Sequence, residues 1–191
     1  MPRLPKAEVL ENIRQAVVEV VAHSGIGAAG VADIAKAARV SPGTIYLHFT
    51  TREDMLQQTY LHLKRAFHAA MMTAGAGETT SAARIRSMWH AVFAFLWTRP
   101  LDFRFLEYAG AADLLTADQR AEIAPLQDEV HEVLRAAIAD GTVMAMPIPV
   151  AMSLLLGPAL HLARIASLSD RRPPQAEIDE VFDRLWSCLT P

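Results

Sequence analysis

Apolar residues recur along most of the chain at the spacing of amphipathic helices. Near the N-terminus they follow the i, i+3, i+7 rows of one helix face, which ends at Ser24-Gly25; these residues are Leu10, Ile13, Val17, Val20 and Val21. Strand-type alternation of apolar and polar residues is almost absent after residue 25. The pattern therefore predicts an all-α protein.

Turn and cap residues interrupt the helical pattern and predict about nine helices. A short second helix over residues 31–38 is followed by Ser41-Pro42, where a serine N-cap and a proline at the first helical position begin a third. Thr51 caps a fourth helix that extends towards Gly75. Five more are predicted at residues 81–98, 101–114, 116–140, 148–167 and 175–189. The expected architecture is a three-helix domain at residues 1–51 and a larger helical bundle at residues 52–191.

Composition narrows the class of protein. With 191 residues, 52% of them hydrophobic and 20% charged, the chain is predicted to be globular. Cys188 is its single cysteine, so it forms no intrachain disulfide and holds no zinc by itself. The N-terminus lacks the apolar stretch of a secretory signal, and the apolar segment 150–166 falls short of the roughly 20 residues of a membrane span. We therefore expect a cytoplasmic protein without a membrane partner, in which that segment is a buried helix.

Charge is distributed unevenly. The net charge is −3, but the chain through Phe67 carries 8 Lys and Arg against 6 Asp and Glu, a net of +2. The remainder carries 10 against 15, a net of −5. The N-terminal part is therefore the more suitable part for contact with a phosphate backbone.

Residues 31–49 predict two short helices joined by a tight turn, which is the arrangement that places one helix in the major groove of DNA. On a helical wheel, Ile45 and Phe49 face inward, whereas the other residues face outward or lie at the flank: Gly43, Thr44, Tyr46, Leu47 and His48. Tyr46 and His48 could donate hydrogen bonds to phosphates, and Leu47 could contact a thymine methyl. The alternative is that Ser-Pro-Gly only joins two packed helices.

The stretch VADIAKAARVSPGTIYLHFTTREDML, residues 31–56, resembles the DNA-binding segment of the TetR/AcrR family of bacterial transcriptional regulators. The positions in register are Ile34-Ala35, Ala38, Val40-Ser41, Gly43-Thr44, Tyr46, Phe49 and Glu53. Three positions depart from the family pattern. Arg39 replaces the usual turn glycine, Ala29-Gly30 replaces a threonine or serine, and Arg52 replaces a lysine. Arg39 either adopts a left-handed conformation, which costs about 1 kcal/mol, or shifts the turn slightly.

The resemblance implies a sequence-specific transcriptional regulator that is not an enzyme and needs no cofactor or metal. It implies a homodimeric repressor, paired through its last two helices and released from a palindromic operator by a small hydrophobic ligand. The expected DNA-binding residues are Lys6, Arg39, Ser41, Pro42, Gly43, Thr44, Tyr46, Leu47, His48 and Arg52. The expected ligand-binding residues are large apolar side chains and a few polar ones on the middle helices. They are Phe67, Met71, Trp89, Phe93, Trp97, Phe103, Arg104, Glu107, His131 and Met152.

Other interpretations remain open at the level of sequence. Gly25-Ile-Gly27-Ala-Ala-Gly30 spells the glycine pattern of a dinucleotide loop, but no alternation of strands and helices accompanies it. Asp128-x-x-His131 matches half of a bundle metal site without the partner carboxylates. The remaining alternative is a helix-bundle binding protein or enzyme that keeps the helix-turn-helix only as scaffold. Similarly, one of the apolar faces of the last two helices could fill the core of a monomer.

Overall fold

The structure is a computed structural model that describes residues 5–169 and 171–191. In this part of the chain it contains nine helices and no strand, so the predicted all-α fold is confirmed. The helices are α1 Lys6–Ser24, α2 Val31–Ala37, α3 Pro42–Tyr46, α4 Arg52–Gly75, α5 Ser81–Thr98, α6 Pro100–Ala111, α7 Ala117–Ala139, α8 Ile148–Ser169 and α9 Gln175–Ser187.

The described chain forms two compact units. The first comprises the residues up to Lys64 together with Leu101–Arg120, and the second comprises Arg65–Pro100 and Ala121–Pro191. Helices α4 and α7 contribute to both. The functional boundary expected at residue 51 remains a prediction.

The first unit is built on α1, α2 and α3. Helix α1 packs against α2, and α2 packs against α3. The apolar face predicted for α1 is buried, with Ile13, Val17 and Val21 fully enclosed. Ile34 of α2 and Ile45 of α3 are also buried. Since burying one such side chain contributes about 1.5 to 3 kcal/mol, this core holds the short α3 in place.

In the second unit, α5 packs against α8 and α8 against α9. Helix α8 has 22 residues and is long and apolar enough to cross a membrane by length and composition, so the expectation that it falls short is wrong. The helix begins at Ile148, as predicted, and continues to Ser169, beyond both the predicted end at residue 167 and the apolar segment 150–166.

Helix α8 is also buried on one face only. The buried face is formed by Ala151, Leu155, Ala159, Ala163 and Ala166. Large apolar residues on the remainder of the helix are exposed, namely Val150, Leu154, Ile165 and Leu168. The expected buried helix is therefore a helix of the bundle that leaves apolar surface uncovered within the described chain.

Candidate DNA-binding and ligand-binding sites

Helix α3 begins with a complete N-cap. The Ser41 hydroxyl oxygen accepts a hydrogen bond from the backbone N–H of Thr44 at 3.1 Å, and the two hydroxyls lie 2.9 Å apart. Pro42 follows at the first helical position. A cap of this kind stabilises a helix by about 1 kcal/mol, which matters for a helix of only five residues.

The two faces of α3 and the residues after it are sharply different. Ile45 and Phe49 are buried, and the N–H of Phe49 donates to the carbonyl of Ile45 at 3.0 Å. Leu47 is 73% exposed and Tyr46 is 54% exposed. His48 is half-buried beside the Phe49 ring. The buried face thus anchors this segment to the core, and Tyr46 and Leu47 lie at the surface.

The turn between α2 and α3 contains a residue in the left-handed region. Arg39 has a φ of 55°, and its N–H donates to the carbonyl of Lys36 at 3.2 Å. The N–H of Val40 donates to the carbonyl of Ala35 at 3.0 Å. Of the two outcomes considered from the sequence, Arg39 therefore adopts the left-handed conformation that the usual glycine would favour.

Arg52, the first residue of α4, is turned towards the loop that precedes α2. Its Nε donates to the carbonyl of Ala29 at 2.7 Å, and its Nη2 donates to the carbonyl of Ile26. Its Nη1 donates to the Glu53 carboxylate at 3.2 Å. The side chain is 27% exposed. Several donors of Arg52 are thus occupied inside the protein, which the sequence did not indicate.

Nine of the ten expected DNA-binding residues lie between Arg39 and Arg52, in the turn, in α3, just after it and at the start of α4. Lys6 is exposed at the first residue of α1. Another cation of this unit, Lys64, is half-buried, and burial lowers its pKa. Its Nζ lies 5.6 Å from the centre of the Tyr60 ring.

The second unit contains a small, partly open apolar cavity of about 40 Å³. Its wall consists of aliphatic side chains, three methionines and one tryptophan: Met71, Ile85, Met88, Trp89, Val92, Val130, Val133, Leu134, Met152, Leu155 and Leu156. Pockets that hold drug-sized ligands measure about 300 to 1,000 Å³. The cavity must therefore expand before it can admit such a molecule, and methionine side chains adapt their shape readily.

Three expected ligand-binding residues, Met71, Trp89 and Met152, line this cavity. Phe67, Phe93, Trp97 and His131 lie elsewhere in the second unit, whereas Phe103, Arg104 and Glu107 belong to the first. The sequence did not single out the aliphatic wall residues, because aliphatic residues at helical spacing are common to cores and pockets alike. Among the described residues, no group of three or more His, Cys, Asp or Glu side chains could hold a metal ion.

A sequence model of the bacterial regulatory proteins of the tetR family matches residues 13–59, which include α1 from Ile13 onward, the helix-turn-helix and the start of α4. The chain carries a TetR-family DNA-binding domain. The HTH-type transcriptional regulator LuxR of Vibrio harveyi is 38% identical to this chain over 65 residues. That alignment covers 34% of this chain and 32% of LuxR.

Solved structures of bacterial regulators extend the likeness to nearly the whole chain. A TetR family transcription regulator from Marinobacter aquaeolei has a TM-score of 0.89 at 22% identity and covers 96% of both chains. The fatty acid degradation regulator FadR from Bacillus halodurans has a TM-score of 0.77 at 22% identity and covers 97% of both. At these identities the likeness shows a shared fold.

Proposed function

We propose that this protein is a homodimeric TetR-family repressor that binds a palindromic operator and releases it when a small hydrophobic ligand binds. The observation that carries the proposal is the exposed surface of the helix-turn-helix, where Tyr46 and Leu47 project from a capped helix. Tyr46 and His48 donate to phosphates, and Leu47 contacts a thymine methyl in the major groove. Such a protein acts in the cytoplasm, where bacterial DNA lies.

Uncovered apolar surface on α8 supports the homodimer. Val150, Leu154, Ile165 and Leu168 are between 41% and 77% exposed. A two-fold contact in which α8 and α9 face their symmetry mates would bury these side chains. The same symmetry would present two copies of α3 to half-sites about 34 to 36 Å apart, one turn of the double helix.

The chemistry of the apolar cavity supports a hydrophobic ligand. All side chains of its wall are apolar except for the indole N–H of Trp89, which is already engaged with a backbone carbonyl. Met71, Met88 and Met152 allow the wall to adapt as a ligand enters. Since one structural relative is named as a fatty acid degradation regulator, an acyl chain is the first class to test. Expected ligand-binding residues of the second unit that lie outside the wall, such as His131, are proposed to contact the ligand only after the cavity expands.

Coupling between ligand and operator follows from a two-state equilibrium. A ligand that binds better to the conformation with wrongly spaced recognition helices must lower operator affinity. Helix α4 is the proposed connection, because it begins at Arg52 directly after the helix-turn-helix and continues into the second unit to Gly75.

The deciding experiment is selection of bound duplexes from a random DNA pool at two salt concentrations, with the full-length protein. We expect a palindrome whose half-sites lie one helical turn apart, and an affinity that falls steeply with salt. Leu47→Glu should abolish the selected binding, whereas Met144→Glu, a matched change at another exposed apolar residue, should preserve it. If the wild type selects no consensus at either salt, the helix-turn-helix serves as scaffold and the bundle alone carries function.

A further inference from the structure

The side chains of the loop between α1 and α2 make few contacts that could fix the conformation of its backbone. Gly25 has a φ of 79°, and Gly30, the N-cap of α2, contributes no side-chain hydrogen bond to the helix. No described heavy atom outside the adjoining residues lies within 4 Å of the position that a Cβ would take on Gly27. The methyl group of Ala29 is the one fully buried side chain of this loop. Something outside the loop must therefore hold its backbone.

Arg52 provides that constraint. Its Nε and Nη2 donate to the carbonyls of Ala29 and Ile26, which lie 23 and 26 residues earlier in the chain. Both bonds are partly buried, and hydrogen bonds from a charged donor are stronger than neutral ones. A guanidinium presents these donors in a rigid planar fork, so it fixes the two carbonyls at a defined separation.

We infer that Arg52 is a positioning residue for the recognition helix rather than a phosphate contact. By holding the carbonyls of Ile26 and Ala29, it fixes the point at which α2 begins, and α3 packs directly against α2. This inference rests on the proposed DNA-binding function and names a determinant of it. Lysine cannot replace Arg52, because its single nitrogen cannot reproduce the fork.

The hydrogen bonds of Arg52 also connect α4 to the helix-turn-helix non-covalently, in addition to the covalent connection through the backbone. Arg52 is the first residue of α4, and the short segment after Phe49 is the covalent connection. The bonds to Ala29 and Ile26 tie the first turn of α4 to the opposite end of α2. A displacement of this turn is therefore carried to the beginning of α2 as well as to the end of α3.

The test compares Arg52→Lys and Arg52→Gln with the wild type in the full-length protein. In both variants, amide hydrogen exchange of the free protein should accelerate about tenfold at residues 26–35, because the hydrogen bonds from a charged donor that stabilise this segment are weakened or lost. The amides of α8 should keep their exchange rates. Glu53→Gln, which alters only the third partner of Arg52, should leave residues 26–35 unchanged.

Operator binding of the same variants separates positioning from phosphate contact. We expect both to bind the selected duplex about tenfold more weakly, with the slope of affinity against salt equal to that of the wild type. Wild-type affinity in Arg52→Lys together with a slope reduced by about 0.9 in Arg52→Gln would assign Arg52 to a phosphate and overturn the inference. Unchanged exchange at residues 26–35, or acceleration throughout the protein, would overturn it too. Absence of any operator for the wild type would refute the proposed function, whereas the exchange measurement would still test the Arg52 constraint.

Discussion

The indole Nε1 of Trp89 donates a hydrogen bond to the main-chain carbonyl of Leu155 at 2.9 Å, and both residues are buried. This bond joins α5 to α8 beside Pro158, whose missing N–H leaves α8 without its bond to the carbonyl of Leu154. Trp89 also lines the apolar cavity and contacts the Phe182 ring of α9, with ring centres 5.4 Å apart. One side chain thus contacts the cavity and both helices proposed to form the dimer.

Replacing Trp89 by phenylalanine should lower the free energy of unfolding by about 1 to 3 kcal/mol. The substitution keeps an aromatic ring but removes a buried hydrogen bond, worth about 0.5 to 1.5 kcal/mol, and leaves a small cavity where the larger indole packed. The measurement is urea denaturation of the full-length protein followed by circular dichroism.

Trp97→Phe is the matched control, because Trp97 lies on the same helix, is half-buried and donates no hydrogen bond to a described residue. Its cost should be smaller than that of Trp89→Phe. Equal losses for the two variants would mean that ring size, not the bond to Leu155, determines the effect.

Two substitutions at Ser41 should separate helix stability from DNA binding. Ser41→Ala removes the acceptor for the Thr44 N–H and should lower the free energy of unfolding by about 1 kcal/mol. Ser41→Asp keeps an N-cap acceptor and should retain stability. Its carboxylate would face DNA phosphates, so operator affinity should fall although the fold is intact. Calorimetry measures the change in stability, and operator titration at one salt concentration measures the change in affinity. Normal operator binding by Ser41→Asp would show that residue 41 lies away from the DNA.

The helix-turn-helix could be predicted from sequence because its determinants are local. Ser41, Pro42 and the spacing of Ile45 and Phe49 act within a few residues, and the structure confirms the predicted capping residue and the buried face. The orientation of Arg52 could not be predicted in this way. Its partners lie more than 20 residues away in the chain, and a cation after a recognition helix fits a phosphate contact equally well.

The residues that line the apolar cavity could be predicted from the sequence only in part. Met71, Trp89 and Met152 were expected near a ligand because they are large and apolar, but so are residues that the cavity excludes, such as Phe93. Whether an apolar side chain borders a void depends on how the helices pack, not on its position in the helical period. The sequence predicted pairing through the last two helices but left open burial of one apolar face in the core of a monomer, since an apolar run does not distinguish burial within one chain from burial between two.

Leu47→Ala should mainly relax the preference for one base pair. Leu47 is 73% exposed, so its truncation should change the free energy of unfolding by less than about 0.5 kcal/mol. Loss of a contact with a thymine methyl should reduce discrimination at that position by about 1 to 3 kcal/mol. The measurement is titration against the selected operator and against duplexes with single base-pair changes. Met144→Ala, which truncates another exposed apolar side chain, should leave the base-pair preferences unchanged. If Leu47→Ala discriminates between the duplexes as the wild type does, Leu47 does not contact a base.

Arg39→Gly should stabilise the protein by about 1 kcal/mol, because a left-handed conformation costs an L-residue roughly that much and costs glycine little. For a chain of this size the melting temperature should rise by about 2 to 4 °C. Lys36→Gly, an exposed position inside α2, is the matched control and should lower stability by about 1 kcal/mol, since glycine there only adds backbone entropy to the unfolded state. Calorimetry should show that the melting temperature rises for Arg39→Gly and falls for Lys36→Gly. A destabilised Arg39→Gly protein would show that contacts of the Arg39 side chain outweigh the strain of its backbone.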